Sequence, residues 1–440
     1  QKSGNYVSVD IFGCLRFFFY LKTERRMYMV EFITNVNSAV NGFVWGVPML
    51  VLLVGTGILM TILTKFFQLS HLGHWFKNTV GGIFHDKHVT KHTEAGDQSI
   101  SQFQSLCTAL AATIGTGNIV GVASALVAGG PGAIFWMWVV AFFGMMTNYS
   151  ENVLGIYYRR RNSRGEWSGG AMYYLKDGLG SYKGCKQIGA VLAVLFSAFC
   201  LLASFGIGNM SQVNSIAANM TSAFSIPATV TGIVLVIIGA LVIVGGLKRI
   251  AAVTEKLVPF MAIAYVIGAL VIFFANIGHV GAVFTAIFKG AFGLRAVGGG
   301  IVGSGVKLAL TWGMKRGVFS NEAGLGTAPM AHAAATSASP LVQASIGMLD
   351  TFIDTIIVCT MTGFAILVTG QWTSGLTGAA MTSAAFETSL PGIGGIAVTI
   401  CLTFFAFTTA LGWCVYGERC AIYFFGDKAQ IPFRIVYCIA

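Results

Sequence analysis

Residues 111–121, AATIGTGNIVG, place three glycines, two threonines and an asparagine inside an otherwise apolar stretch. Glycine lowers helix propensity, and a backbone group that is freed inside a bilayer has to find a polar partner. We therefore expect the helix to break here and to hold something polar at mid-membrane. In transporters, such breaks direct half-helix N-termini at an anionic group and carbonyl groups at a cation. Close packing through Gly115, Gly117 and Gly121 is the alternative interpretation.

The composition around this segment is that of a membrane protein. Of the 440 residues, 55% are hydrophobic and 10% are charged, whereas about a quarter of an ordinary soluble domain is charged. Apolar runs of about the 20 residues needed to cross a bilayer recur along the chain. We predict an all-α polytopic membrane protein with spans near residues 43–64, 105–127, 132–158, 187–211, 227–246, 257–275, 297–320 with a continuation to about 335, 341–369 and 392–416.

The two ends of the chain carry separate expectations. A tenth apolar run begins near residue 430 and still continues at Ala440, which predicts a C-terminally incomplete chain. Near the other end, Arg16 interrupts an apolar stretch, so a signal peptide is disfavoured. We treat residues 1–28 as an extension of uncertain relevance and residues 29–440 as the transmembrane transporter domain.

The net charge of +11 is a topology signal. Lysine and arginine concentrate in residues 65–100, 159–186 and 247–256, whereas the alternate connections 128–131, 212–226 and 370–391 carry neither. The positive-inside rule makes the basic loops cytoplasmic and puts the start of the first span outside a plasma (inner) membrane. Only the connection at 276–296, with Lys289 and Arg295, blurs the alternation. Because the charges serve topology, no nucleic-acid partner is expected.

Cysteine and histidine give no sign of a cofactor or an enzyme. The nine cysteines are scattered without paired spacing, as expected of reduced, buried thiols. The loop histidines are not accompanied by cysteines, which disfavours zinc; they are His71, His74, His85, His88 and His92. A membrane-embedded enzyme would need a nucleophile with a base, or metal ligands, at bilayer depth, and the apolar runs contain no such set.

A second interruption is expected at residues 311–326, TWGMKRGVFSNEAGLG, which is glycine-rich and polar between apolar flanks. Two interrupted helices in corresponding places are typical of a transporter with a binding site at the midplane. The alternative is an ordinary cytoplasmic loop marked by Lys315 and Arg316, with Ser320 or Asn321 capping the next helix.

Three motifs carry a resemblance to a known family. The run GGPGAIFWMWVVAFFG, residues 129–144, is similar to the signature of the alanine or glycine:cation symporter family, and so are GTGNIVG at 115–121 and SNEAGLGTAP at 320–329. The resemblance extends from about Met29 to the end. It implies the leucine-transporter-like five-plus-five inverted repeat with an extra N-terminal helix, in which the second and seventh spans are the discontinuous pair.

The resemblance also implies roles for individual residues. Thr113, Gly115, Thr116, Gly117 and Asn118 would surround the substrate carboxylate and the ion. Sodium, the coupling ion, would be bound by Ala111, Ile114, Thr408 and Thr409. The remaining substrate contacts would be Gln212, Ser320, Asn321, Thr409 and Trp413. From the residues alone, Thr409 and Trp413 share a helix face because they are four apart, but a membrane threonine more often bonds its own backbone.

Buried acids supply the rival interpretation of the coupling. Asp350 and Asp354 lie four apart in one span, Glu151 lies in another and Glu322 follows the second interruption. Acids at this depth favour a functional role, such as a proton relay, although pairing with a base or capping of backbone groups is commoner. We therefore predict sodium-coupled import of alanine or glycine, with proton coupling as the alternative. Serine as substrate, the number of cations and the oligomeric state stay open.

Overall fold

The computed structural model describes residues 31–93, 97–293, 301–337 and 339–440; the predicted N-terminal extension, residues 1–28, lies outside them. By contacts the chain falls into two units, Gln1–Leu53 and Val54–Ala440. The first part of the described chain, residues 31–44, is helical. The described helices from there on are α1 Val47–Leu63, α2 Phe67–Ser70, α3 Leu72–Asn78, α4 Val80–His85, α5 Lys87–Thr90, α6 Gln102–Thr113, α7 Gly117–Gly129, α8 Gly132–Tyr157, α9 Ala171–Tyr173, α10 Lys186–Phe224, α11 Ala228–Ile243, α12 Gly246–Ala275, α13 Ile277–Phe292, α14 Ile301–Asn321, α15 Ala328–His332, α16 Pro340–Val368, α17 Gly378–Ser389, α18 Gly394–Phe425 and α19 Gln430–Ile439.

The predicted membrane architecture is confirmed in its main features. Within the described residues, six helices are long and apolar enough to cross a bilayer, or seven if the bent pair α6–α7 counts as one span. Two further apolar helices, α11 and α13, are shorter. The described part of the chain also contains one small hairpin, in which β1 Arg160–Arg161 is antiparallel to β2 Trp167–Ser168. Two of the longest helices each contain a π-helical turn, Gly206–Met210 in α10 and Phe352–Cys359 in α16.

Several of the predicted connections contain helix instead. The basic stretch 247–256, expected to be a loop, is the first part of α12, and residues 65–100 contain α2 to α5. Residues 276–296, expected to be a loop, contain the helix α13, and residues 370–391 contain α17. The predicted outer loop at 212–226 is wrong as well, because α10 continues to Phe224. The segment follows a π turn, and of its polar side chains only Gln212 is buried.

The second interruption lies further along the chain than predicted. Residues 311–321 belong to α14, and the helix ends at Asn321. The break follows at 322–327, where Glu322, Gly324 and Gly326 have positive φ angles of 56°, 93° and 76°. Lys315 and Arg316 are therefore on a helix and not in a loop. Arg316 lies over the rings of Trp312 and Phe319, 5.5 and 5.6 Å from their centroids, which accommodates its charge.

The two interrupted helix pairs are tied together at one end. The Ile100 N–H donates to Ala334 O at 3.1 Å, and the Thr336 N–H donates to Ile100 O at 2.9 Å. This short parallel bridge joins the residue before α6 to the residues after α15. The ends of the two broken helices are thus held in one register.

Glycine sets the packing of α13 on α8. An added methyl group at Gly290 would lie 2.7 Å from Gly132 N and 3.1 Å from Gly132 Cα, so the two backbones touch. Such close approach of small residues is how membrane helices pack without a hydrophobic driving force.

We expect Gly290→Ala to destabilise the fold by about 1–3 kcal/mol, because the methyl group meets backbone that cannot rotate away. The measurement is the unfolding temperature of the purified protein in detergent. Gly281→Ala is the matched control, since it lies on the same helix and an added methyl group there meets no atom within 4 Å. Equal unfolding temperatures for the two variants would contradict the close contact.

Candidate functional site

The first predicted break is confirmed. The helix α6 ends at Thr113, Ile114 is extended with φ −78° and ψ 92°, and α7 continues at an angle of 49°. A continuous helix would donate the Gly115 N–H to Ala111 O. Here the Gly115 N–H donates to Asn118 Oδ1 at 2.8 Å instead. The side chain of Asn118 therefore replaces a helical hydrogen bond, and the Ala111 carbonyl loses its helical partner.

The break can form at this position because Gly115 has no side chain. An added methyl group would overlap the hydroxyl group of Thr409 on α18. On the same helix, Gly412 allows a similarly close approach, since a methyl group there would lie 2.7 Å from Ala112 N. Two glycines thus bring α18 against the end of α6.

Of the predicted sodium ligands, Thr409 and Ile114 are in direct contact. The Thr409 hydroxyl lies 3.2 Å from Ile114 O and 2.9 Å from Phe405 O. The hydroxyl of Thr408 instead donates to Phe404 O at 2.9 Å or to Phe405 O at 3.0 Å. The expectation that a membrane threonine bonds its own backbone therefore holds for both residues, and Thr409 additionally reaches the break.

Gln212 and Trp413 lie beside the same break. Gln212 Oε1 accepts from the Thr116 N–H at 3.4 Å, although its amide group also donates to Ile207 O at 3.1 Å. Trp413 is buried, and its ring lies over Gly208, where an added methyl group would be 2.6 Å from the ring atom Cγ. Gly208, in the π turn of α10, thus leaves the space that the indole fills, and Gln212, just after this turn, reaches the break.

The two broken helix pairs meet at Gly117, the first residue of α7, and Ser320, near the end of α14. A methyl group at Gly117 would lie 3.5 Å from both Cα and Oγ of Ser320. The Ser320 hydroxyl donates to Asp354 Oδ1 at 3.1 Å. The neighbouring Asn321 donates to Thr355 Oγ1 at 3.1 Å and accepts from the Ala323 N–H at 3.1 Å, so it caps the second break.

The acids of α16 lie on either side of the first break. Asp350 Oδ1 accepts from the Thr113 hydroxyl at 2.8 Å, and Asp354 Oδ1 accepts from Asn118 Nδ2 at 2.6 Å. Both acids are fully buried, and no ion pair among the described residues includes them. The second oxygen of Asp350 is buried without a hydrogen-bond partner in the described chain. Pairing with a lysine or arginine, the commoner expectation, is therefore not what holds these acids.

The remaining two acids belong to the second break. Glu151 Oε1 accepts from the Gly326 N–H at 3.0 Å, and Oε2 accepts from the Gly324 N–H at 3.2 Å. Glu322 Oε2 accepts from the Thr327 hydroxyl at 2.7 Å. Backbone capping, one of the two alternatives for buried acids, thus applies to Glu151. The peptide groups ahead of α15 already have a carboxylate partner within the protein.

Sequence reasoning missed two side chains of this network. Cys359 Sγ lies 3.4 Å from Asn118 Nδ2 and 3.2 Å from Ser320 Oγ, and Thr355 donates to Asp354 Oδ2 at 2.7 Å. The π turn of α16 places Cys359 on the same side as Asp354, five residues earlier, which ordinary helical spacing does not. Only the four-residue spacing of the two aspartates was visible in the sequence. Among the described residues, no three His, Cys, Asp or Glu side chains converge as a metal site.

Sequence comparison finds the same family that the motifs resemble. Residues 30–440 match the sodium:alanine symporter family. The chain is 48% identical to the sodium/alanine symporter AgcS of Methanococcus maripaludis over 414 residues. The aligned region covers 93% of this chain and 87% of the relative. It is 38% identical to YrbD of Bacillus subtilis, named as a candidate sodium/proton-dependent alanine carrier protein, over 89% of this chain and 78% of the relative.

Solved structures resemble the chain in fold alone. A manganese transporter of Eremococcus coleocola aligns with a TM-score of 0.51 at 11% identity, over 80% of this chain and 73% of that one. The similarity supports a membrane-transporter fold and carries no information about the transported species.

We expect Glu151→Gln to destabilise the protein by about 1–3 kcal/mol, because the amide keeps one acceptor oxygen and presents a donor to the second peptide N–H. Unfolding temperature in detergent is the measurement. Glu387→Gln is the matched control: Glu387 also accepts two glycine N–H groups, from Gly392 and Gly395, but it is exposed to water. If Glu387→Gln lowered the unfolding temperature as much as Glu151→Gln, the position of Glu151 at the second break would not explain the destabilisation.

Proposed function

Because the chain belongs to the sodium:alanine symporter family, we propose that it is a secondary active transporter that imports a small neutral amino acid, alanine or glycine, by sodium symport. Its many apolar helices make it a multi-pass membrane protein. The orientation that we propose places the basic segments 65–100, 159–186 and 247–256 on the cytoplasmic side of a plasma (inner) membrane.

The observation that carries the proposal is the contact of Thr409 with Ile114 across the first break. Hard cations bind oxygen ligands. The break also removes the helical partner of the Ala111 carbonyl, because Gly115 donates elsewhere. We propose that sodium binds among the carbonyl oxygens of Ala111 and Ile114 and the hydroxyl oxygens of Thr408 and Thr409, with the two hydroxyl protons directed away from the ion.

The amino-acid carboxylate is assigned to the first break and not to the second. Half-helix N-termini attract anions through free N–H groups and the helix dipole. At the second break, Glu151 already accepts from Gly324 and Gly326. At the first break, by contrast, the Thr116 N–H has only a long contact of 3.4 Å to a neutral amide. The proposed surroundings of the carboxylate and ion are Thr113, Gly115, Thr116, Gly117 and Asn118.

The rest of the pocket comes from neighbouring helices. Gln212 is the amide that reaches Thr116, and Trp413, buried one helical turn after Thr409, would limit the size of the substrate side chain. Ser320 and Asn321 would contribute contacts from the second break. A small pocket closed by an indole favours alanine and glycine over larger amino acids.

Coupling follows from the adjacency of the two ligands. The carbonyl of Ile114 would bind the cation, and the N–H of Thr116, two residues further on, would face the carboxylate. Each ligand then raises the affinity for the other by the same factor. One sodium ion that moves down a potential of about 100 mV supplies roughly 2.3 kcal/mol, which is enough for about fifty-fold accumulation.

Alternating access is proposed to follow the leucine-transporter-like five-plus-five inverted repeat, with an extra N-terminal helix. The two broken pairs, α6–α7 and α14–α15, would be the corresponding helices of the two repeats. The two pairs are joined by the contact of Gly117 with Ser320 and by the bridge at Ile100. They would therefore move as one body against α10 and α18.

We expect Thr409→Val to raise the sodium concentration that gives half-maximal uptake of labelled alanine by at least about ten-fold, since a lost ligand to a charged group costs roughly 1.5–3 kcal/mol. Valine keeps the shape of threonine but lacks the hydroxyl oxygen. The measurement is uptake into vesicles that contain the purified protein, with choline replacing sodium at constant ionic strength.

Thr403→Val is the matched control, because Thr403 lies on the same helix and its hydroxyl donates to Thr399 O at 2.8 Å. The control should keep the sodium dependence of the parent protein. Uptake by the unaltered protein that is undiminished in choline would exclude sodium coupling altogether.

A second candidate is proton coupling within the same class of transporter. The buried carboxylate of Asp350 favours it, because one oxygen accepts from Thr113 beside the first break and the other has no hydrogen-bond partner among the described residues. A proton carried there would alter the hydrogen bonds that hold the break.

For this candidate, the test is a pH gradient applied in choline. We expect no alanine uptake under that condition, because sodium is the proposed coupling ion. Uptake that does occur, and that disappears in the double variant Asp350→Asn, Asp354→Asn, would establish proton coupling through these acids. Uptake that persists in the double variant would exclude them as the proton carriers.

A further inference from the structure

A basic, amphipathic segment follows the first membrane span. We call residues 65–93 the interfacial segment; it contains the short helices α2 to α5. It carries four lysines and a single acidic residue, Asp86. Large apolar side chains are nevertheless exposed along it, Phe84 at 76% and Leu69 at 57%. Lysines together with exposed apolar side chains on short helices are typical of segments that lie in the headgroup region of a bilayer.

The interfacial segment is fixed to the membrane-spanning helices by aromatic side chains. The Trp75 indole donates to Ser345 O in the second turn of α16 at 2.8 Å, and its ring meets Phe352 edge-on at 5.7 Å. Phe67 packs against Tyr149 of α8 with ring centroids 5.7 Å apart. The segment therefore has a defined position at the end of α8 and the start of α16.

Between these elements lies a cavity of about 670 Å³. Its apolar wall includes Phe67, Tyr149 and Leu341, and Leu341 is itself 58% exposed. Tyr149 lies eight residues before the end of α8 at Tyr157, about 12 Å along the helix. The cavity therefore lies toward one end of α8 and not at the middle of this membrane-spanning helix.

The polar side of the cavity contains one lysine and one acidic residue, together with hydrogen-bonding side chains. Lys77, His74 and Asn78 line it, and His74 Nε2 lies 2.8 Å from Asn78 Nδ2. The acidic residue Asp86 also lines the cavity, but its Oδ1 accepts from the His88 N–H at 2.8 Å and caps α5. Lys77 makes no ion pair within the described residues, so its charge is available to a ligand.

We propose that this cavity binds an anionic phospholipid of the surrounding bilayer. The phosphate group would lie at Lys77, with His74 and Asn78 as hydrogen-bond donors, and an acyl chain would follow Phe67 and Leu341 toward the hydrocarbon. The volume lies within the range of about 300–1,000 Å³ that is usual for ligand pockets.

The site adjoins the helix that holds the first break. Leu341 and Ser345 belong to the first two turns of α16, which continues to Asp350 and Asp354. A bound lipid would restrict the same end of α16 that Trp75 fixes. The proposal does not depend on the transported substrate, because lipid binding is measured without transport.

The test uses the whole purified chain in nanodiscs of phosphatidylcholine, titrated with phosphatidylglycerol and followed by native mass spectrometry. We expect Lys77→Gln to weaken phosphatidylglycerol binding about five-fold, the factor expected for one lysine near an anionic lipid surface. Lys77→Arg should restore binding because it keeps the charge. Lys183→Gln is the matched control, since it removes an exposed lysine from another basic loop.

Each alternative outcome overturns the proposal. Unchanged binding in Lys77→Gln would show that the cavity is not the site. An equal loss in Lys183→Gln would indicate general attraction to charge. Displacement of the lipid by inorganic phosphate at similar concentration would identify a free anion, and not a membrane lipid, as the ligand.

Discussion

The structure of the first break depends on the replacement of one helical hydrogen bond by a hydrogen bond to a side chain. Donation of the Gly115 N–H to Asn118 Oδ1, in place of Ala111 O, ends α6 in the interior of the protein and starts α7 at a new angle. Inside a membrane this is possible only if the freed groups find partners. Asn118 supplies one partner, and Thr409 approaches the next carbonyl, that of Ile114. The peptide groups that remain without a helical partner are the ones to which the proposed site assigns its ligands.

Asn118 is held in place by α16, and this couples the break to a helix far away in sequence. Its amide donates to Asp354, while its oxygen accepts from Gly115. On the other side of the break, Asp350 accepts a hydrogen bond from the Thr113 hydroxyl. Any change that moves or neutralises these two acids therefore acts on the break through both of its flanks. A displacement of α16 is therefore expected to displace the first break as well.

The sequence was sufficient for features that are local and insufficient for those that depend on distant contacts. Glycine density at 111–121 predicted the first break correctly because propensity and the bilayer act on the same residues. The second break lies several residues later than predicted, since aromatic rings accommodate Arg316 on a helix and the turn uses a positive φ at Glu322. The helix α13 was not predicted because it packs on α8 through a contact between Gly290 and Gly132, which are more than 150 positions apart in the sequence.

The two breaks, alike in composition, differ in what occupies them. At the second, Glu151 provides a carboxylate to the N–H groups of Gly324 and Gly326 in the same way that a substrate carboxylate would. A second carboxylate there would have to displace Glu151 from both N–H groups. At the first break, Asp350 and Asp354 accept from the side chains of Thr113 and Asn118, and the Thr116 N–H has no carboxylate partner in the described part of the chain. We propose that this N–H is available to an anion with an adjacent cation. The two breaks therefore differ in their free N–H groups, because Glu151 occupies those of the second, and this difference is why the proposed site has one orientation.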